Sequence, residues 1–87
     1  MANHATGPVK LYTTSWCGFC RAALEMLDQR GVPHENIDLT AEPEELDKKK
    51  AEWKHGTVPI VIVGDTLLGG FSDLRDLDSQ TELAHLK

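Results

Sequence analysis

The chain has 87 residues and a formal net charge of −5, and 40% of its residues are hydrophobic, which is enough for one small core and not for two. Its lysines and arginines form no cluster large enough for a nucleic-acid surface, and no apolar stretch approaches the ~20 residues of a membrane span. Two cysteines do not make the disulfide framework of a small secreted scaffold.

Residues 1–8 are expected to be a disordered tail ahead of one domain at 9–87. Met1 to Pro8 offer no basic and no apolar region of the kind a secretory signal needs, so a reducing, cytoplasmic setting is expected. Val9 to Thr13 alternates apolar and polar side chains and reads as a strand, with Thr14 to Cys17 as the turn after it. From Cys17 to Arg30 the residues Cys20, Ala23, Leu24 and Leu27 recur at helical spacing, and Gly31 suits the left-handed position that stops a helix. Val32 to Leu39 reads as a strand that begins late because of Pro33, with Glu35, Ile37 and Leu39 on one face. Pro43 suits a first helical position. The helix from there to about Lys54 carries a weak stripe of Leu46, Lys50 and Trp53, and Gly56 is expected to end it. Lys48, Lys49 and Lys50, the one basic run, sit among acids and read as a solvated face.

Ile60 to Val63 is the strongest strand signal. Gly64-Asp65 links it to a partner strand, Thr66 to Leu68, as a hairpin. Gly69-Gly70 breaks that strand, and Ser72 is the expected cap of a helix through Leu74 and Leu77. Ser79-Gln80-Thr81-Glu82 fits a capping box and marks a further short helical segment. The order β-α-β-α-β-β-α predicts a parallel first pair with a right-handed crossover, then an antiparallel hairpin: an α/β fold with a four-stranded mixed sheet flanked by helices.

Chemistry concentrates at Trp16-Cys17-Gly18-Phe19-Cys20, between a strand and a helix. A Cys-x-x-Cys there is a redox device. The thiolate is the attacking species, and a helix N-terminus offers it unpaired N–H groups and the positive end of the macrodipole. Cys17 is expected at that end with its sulfur accessible, and Cys20 one turn on and deeper. No metal-ligand set is read: two cysteines without a nearby histidine do not close a four-ligand zinc site. His4, His34, His55 and His85 read as surface residues, with His55 the one placed to reach a groove.

Three separated motifs, Cys17-Gly18-Phe19-Cys20, Thr57-Val58-Pro59 and Gly69-Gly70-Phe71-Ser72-Asp73-Leu74, come in an order that resembles the glutaredoxins of the thioredoxin-fold group, from residue 9 onward. The resemblance implies the thioredoxin/glutaredoxin fold and a glutathione-dependent thiol–disulfide oxidoreductase acting on protein disulfides and glutathione mixed disulfides. Cys17 would be the nucleophile and Cys20 the resolving thiol. It further implies a cis Pro59, a Val58 backbone that pairs with a bound thiol peptide, and a groove for glutathione. Trp16, Phe19, Thr57, Val58, Pro59, Gly70, Phe71, Ser72 and Asp73 would build that groove, with Asp73 facing the ligand's ammonium. No tightly bound cofactor is implied, and a monomer is expected.

The family often places a lysine three residues before the first cysteine and a basic residue just before Thr-Val-Pro; this chain has Thr14 and Gly56. It also has Gly18 and Phe19 where proline and tyrosine are common. Two other readings stay open. One is iron–sulfur cluster carriage by a dimer through Cys17 of each chain and two external thiols. The other is a mycoredoxin-like or thioredoxin-like reductase using another reductant, since Tyr12 to Cys20 also resembles those groups.

Overall fold

The computed structural model describes residues 8–79. The first seven tail residues, His4, His85 and the further helical segment expected after Ser79 lie outside them. Seven elements follow in the expected order: β1 (Val9–Thr13), α1 (Gly18–Gln29), β2 (His34–Asp38), α2 (Pro43–Trp53), β3 (Ile60–Val63), β4 (Thr66–Gly69) and α3 (Phe71–Ser79). The sheet runs β2-β1-β3-β4. β1 pairs parallel with β2 and antiparallel with β3, and β3 pairs antiparallel with β4. This is the mixed four-stranded sheet with helices that the alternation predicted.

Register assigns the layers. Val9 lies opposite Val63 and Leu11 opposite Val61, and facing residues of neighbouring strands project to the same side. These four join Ala23 and Leu27 of α1, Val32 and Leu74 of α3 in the main core. The alternate positions, Tyr12 opposite Ile60 and Lys10 opposite Ile62, face the other way. There the Lys49 ammonium of α2 stands 5.5 Å from the centre of the Tyr12 ring. The sheet is thus covered on both faces, which is why β3 reads as an unbroken apolar run and is buried at every residue.

The two long helices end alike with different residues. After α1, the N–H of Gly31 donates to the Asp28 carbonyl and that of Val32 to the Leu27 carbonyl, a Schellman closure with Gly31 at φ +70. The same bonds confine β2 to His34–Asp38, inside the expected 32–39. After α2, the N–H of Lys54 donates to Ala51 and that of His55 to Lys50. The left-handed residue there is Lys54, at φ +53, not a glycine. The helix therefore stops two residues before Gly56, the expected terminator, because the closure is made by backbone bonds that Gly56 does not enter. Lys54→Gly removes the clash of a Cβ in that conformation and is expected to stabilise the protein by about 0.5–1 kcal/mol. That corresponds to a thermal midpoint roughly 2–8 °C higher, and a midpoint at or below wild type contradicts it.

At the other end of the chain, α3 begins at Phe71, one residue ahead of the expected cap Ser72. Gly70 takes the capping position: its carbonyl accepts from the Leu74 N–H, and its own N–H donates to Asp73 Oδ2 at 2.9 Å. A carboxylate at the third helical position reaching back to the cap N–H is half of a capping box, so Ser72 is left exposed on the first turn. A bidentate pair, Arg30 Nε and Nη2 to Asp78 at 2.7 and 2.9 Å, ties the end of α1 to α3. It holds the Asp78 carboxyl below and the Arg30 guanidinium above their ordinary ranges.

Candidate active site

β1 delivers the chain to α1 through a four-residue turn, and a polar network fixes that turn. The Ser15 N–H donates to Thr40 Oγ1 at 2.6 Å and the Ser15 hydroxyl to Asp38 Oδ2 at 3.1 Å. The Thr40 N–H and hydroxyl both donate to Asp38 Oδ1, which lowers the Asp38 carboxyl below its usual range. Below it, the buried Thr13 hydroxyl donates to Asn36 Oδ1. The ends of β1 and β2 are thus clamped immediately before Cys17.

Cys17 is the N-cap of α1, with extended backbone at φ −97, ψ 111. The Cys20 N–H donates to its sulfur at 3.0 Å, the bond that a free helix N-terminus offers a sulfur carrying negative charge in its attacking form. Across the gap, Cys17 Sγ stands 3.7 Å from the Val58 carbonyl oxygen, to which the thiol donates. The Val58–Pro59 peptide is cis. Cys20, on the inner face of α1, is 1% exposed. Both cysteines are free thiols.

Their environments differ sharply. Burial, chiefly, pushes the Cys20 thiol up to about 12; its side-chain bond with Cys17 and the charges of Cys17 and Asp38 act the same way, against a smaller opposing contribution from the Thr14 backbone. The unfolded chain releases that proton near the ordinary value of 9.0. Between pH 9 and about 12 the folded state therefore holds a proton that the unfolded state has lost, and stability falls as pH rises through that window. The slope contributed by this group approaches, at most, about 1.4 kcal/mol per pH unit. Denaturant titrations at pH 8, 9 and 10 are expected to show this loss in wild type and a flatter response in Cys20→Ala.

Beside Cys17 opens a cleft of about 410 Å³ lined by ten residues. The floor is Thr57, Val58 and Pro59 with Gly70; one wall is Phe71, Ser72 and Asp73 on the first turn of α3; Phe19 of α1 closes the near side. Phe19 and Phe71 stack with centroids 5.8 Å apart. Eight of the nine groove residues expected from the motifs are brought together here. Trp16 is not among them: it is 86% exposed and stands outside the lining.

Two further residues line the cleft: His55, the one histidine the sequence placed near a groove, and Arg75, which stands outside the expected set. His55 follows the left-handed Lys54, which turns the chain back toward the sheet. Its Nε2 is buried without a hydrogen-bond partner and would lie 3.3 Å from a Cβ on Gly70. Arg75 places its guanidinium 5.9 Å from the centre of the Phe71 ring. The signal was present in the sequence, because residues four apart on a helix are surface neighbours. A side chain at Gly56 would meet open space. Among the described residues no group of three or more histidines, cysteines, aspartates and glutamates is arranged to hold a metal ion, and no helix is long and apolar enough to cross a membrane.

A partly accessible thiol at a helix N-terminus, a second thiol kept protonated beneath it, and a cleft ending at another helix N-terminus make a device for thiol–disulfide exchange with a ligand that extends away from its sulfur. The chain is similar to known proteins of one family. A family model described as Glutaredoxin matches residues 9–68. The chain is 37% identical over 79 residues to a glutaredoxin of Pseudomonas aeruginosa, spanning 87% of this chain and 90% of the relative. It is 33% identical over 85 residues to glutaredoxin-C6 of Oryza sativa, spanning 94% and 76%. Among solved structures, the dithiolic glutaredoxin 2-C-Grx1 of Trypanosoma brucei brucei superposes with a TM-score of 0.79 at 28% identity, covering 92% of this chain and 86% of that one.

Proposed function

The chain belongs to the glutaredoxin family of thiol–disulfide oxidoreductases, and on that premise we propose that it uses glutathione to reduce glutathione mixed disulfides and protein disulfides. The observation that carries the reading is the position of Cys17 Sγ, which meets the Val58 carbonyl at the mouth of a cleft ending on the first turn of α3. A thiol whose body extends from its sulfur into that cleft lies along Val58 as an added strand would. Its far end reaches the N–H groups and the Asp73 carboxylate at the start of α3.

The Cys17 thiolate attacks the glutathione sulfur of a mixed disulfide. A Cys17–glutathione bond forms, the original S–S bond breaks, and the substrate leaves as a thiolate that takes a proton from water. A second glutathione thiolate then attacks the glutathione sulfur on Cys17, releasing oxidised glutathione and restoring the Cys17 thiolate. With protein disulfides, Cys20 attacks the Cys17 sulfur instead and displaces the substrate thiolate. The Cys20 proton must leave as it does so, and the burial that raises that thiol opposes its departure. One glutathione thiolate then attacks Cys17 of the Cys17–Cys20 disulfide and displaces the Cys20 thiolate, which takes up a proton, and a second releases oxidised glutathione from Cys17. We place this activity in a reducing compartment.

Purified protein, glutathione, glutathione reductase and a glutathionylated small thiol are expected to give NADPH-dependent turnover. Absence of turnover there, with reduction of protein disulfides only when thioredoxin reductase is supplied, would assign the chain to a thioredoxin-like role.

A further inference from the structure

The cleft carries both signs of charge on one helix. Asp73 and Arg75 are the formally charged residues among its lining, and both come from α3. Residues two apart on a helix do not face each other, so they flank the cleft rather than neutralise one another. Asp73 turns back toward the cap and gives one carboxylate oxygen to the Gly70 N–H, leaving the other for a ligand. Arg75 lies two residues further along α3. Its guanidinium is held over Phe71 at 5.9 Å, and Phe71 is in turn stacked on Phe19, two residues beyond Cys17. These contacts hold a cation at the α3 side of the cleft. A guanidinium stacked on a ring face keeps its N–H edge available for a carboxylate.

We propose that Arg75 determines ligand specificity: with Asp73 it reads a zwitterionic α-amino-acid head group, Asp73 facing the ammonium and Arg75 the carboxylate attached to the same carbon. In a glutathione mixed disulfide that group is the γ-glutamyl end. The inference rests on the glutathione reading above and extends it. Recognition of the γ-glutamyl end is concentrated on α3.

The test compares wild type with Arg75→Gln on three substrates. One is a mixed disulfide of glutathione, the second is that of its glycyl monoethyl ester, and the third is that of its diethyl ester, in which the γ-glutamyl carboxylate is blocked as well. A charge-assisted hydrogen bond is worth about 1.5–3 kcal/mol, so Arg75→Gln is expected to raise KM for the first two substrates about tenfold or more. Arg75→Lys is expected to recover part of that. The diethyl ester is expected to have an equally high KM with both proteins, and kcat is expected to stay within about twofold throughout, because the reacting sulfurs are untouched. An unchanged KM for glutathione in Arg75→Gln, on an active wild type, overturns the inference and leaves the glutathione reading standing. So does a KM rise that persists with the diethyl ester, which marks loss of packing on Phe71. Loss of the effect on the glycyl monoester alone would overturn the assigned end. A wild type that turns over none of the three substrates sinks the glutathione reading and the inference together.

Discussion

Cys17→Ser is expected to abolish exchange with every disulfide substrate, by a factor on the order of 10³ or more, whereas Cys20→Ser keeps turnover of glutathione mixed disulfides. The asymmetry comes from position. Cys17 caps α1 and receives the Cys20 N–H on its sulfur, while Cys20 is buried in the helix's inner face. With burial pushing the Cys20 thiol up to about 12, Cys20 stays protonated at pH 8. Cys20→Ser is therefore expected to lose reduction of protein disulfides, the step that needs a second internal thiol, and little else. Mass spectrometry after brief iodoacetamide treatment of the reduced protein at pH 8 gives a second measure, with a single adduct expected on Cys17. Equal loss of mixed-disulfide turnover in both serine variants, or equal alkylation of both thiols, would refute the division of labour. The backbone N–H that serves Cys17 survives substitution of the Cys20 side chain, so the comparison isolates the thiol.

The second large effect is expected at Gly69. Its φ of +132 lies in a region that side chains rarely adopt, which for alanine costs about 1–3 kcal/mol. A Cβ there would also stand 2.1 Å from Asp73 Oδ2 and 2.6 Å from Asp73 Cγ. Rotating the carboxylate does not relieve a clash with its own carbon, so Asp73 must abandon the Gly70 N–H and the start of α3 loses its cap, worth about 1 kcal/mol. Gly69→Ala is expected to destabilise by roughly 2–4 kcal/mol, a large share of the ~4–13 kcal/mol typical for a chain of this size. It is also expected to weaken glutathione binding, because Asp73 leaves the cleft. The pair Gly69→Ala and Asp73→Ala separates the two causes. In the double variant the steric part disappears and the backbone part stays, so the sum of the single effects should exceed the double by about 1 kcal/mol or more. A Gly69→Ala protein within 0.5 kcal/mol of wild type by urea denaturation would contradict the conformation at this residue.

The placement of these groups explains which readings came from the chain itself. Element order was legible because each signal is local. Helical spacing of Cys20, Ala23 and Leu27, the run Ile60–Val63 and the glycine after α1 act within a few residues of themselves. The Cys-x-x-Cys at a strand-to-helix junction was legible for the same reason, since the electrostatics of a helix end need only the helix. Expectations that failed did so where a backbone bond competed with a side-chain signal. Ser72 is a good cap by type, yet Gly70 caps α3 because Asp73 reaches back to its N–H. Gly56 is a good terminator, yet backbone closure at Lys54 ends α2 first.

By itself, then, the sequence determined the alternation of elements and the thiol pair at a helix N-terminus, both set by short-range spacing and propensity, while the groove residues followed from the family resemblance of its motifs. Only the tertiary structure decided that Cys17 meets the Val58 carbonyl, that Cys20 is buried deeply enough to hold its proton, and that Arg75 stacks into the cleft with Phe71 and Phe19. Those outcomes depend on groups dozens of residues apart that are brought within bonding distance by the register of β1 against β3 and the packing of α3 beside α1. Local spacing carries no record of that distance, and burial, which sets the Cys20 proton, exists only once the sheet and its helices have closed around it.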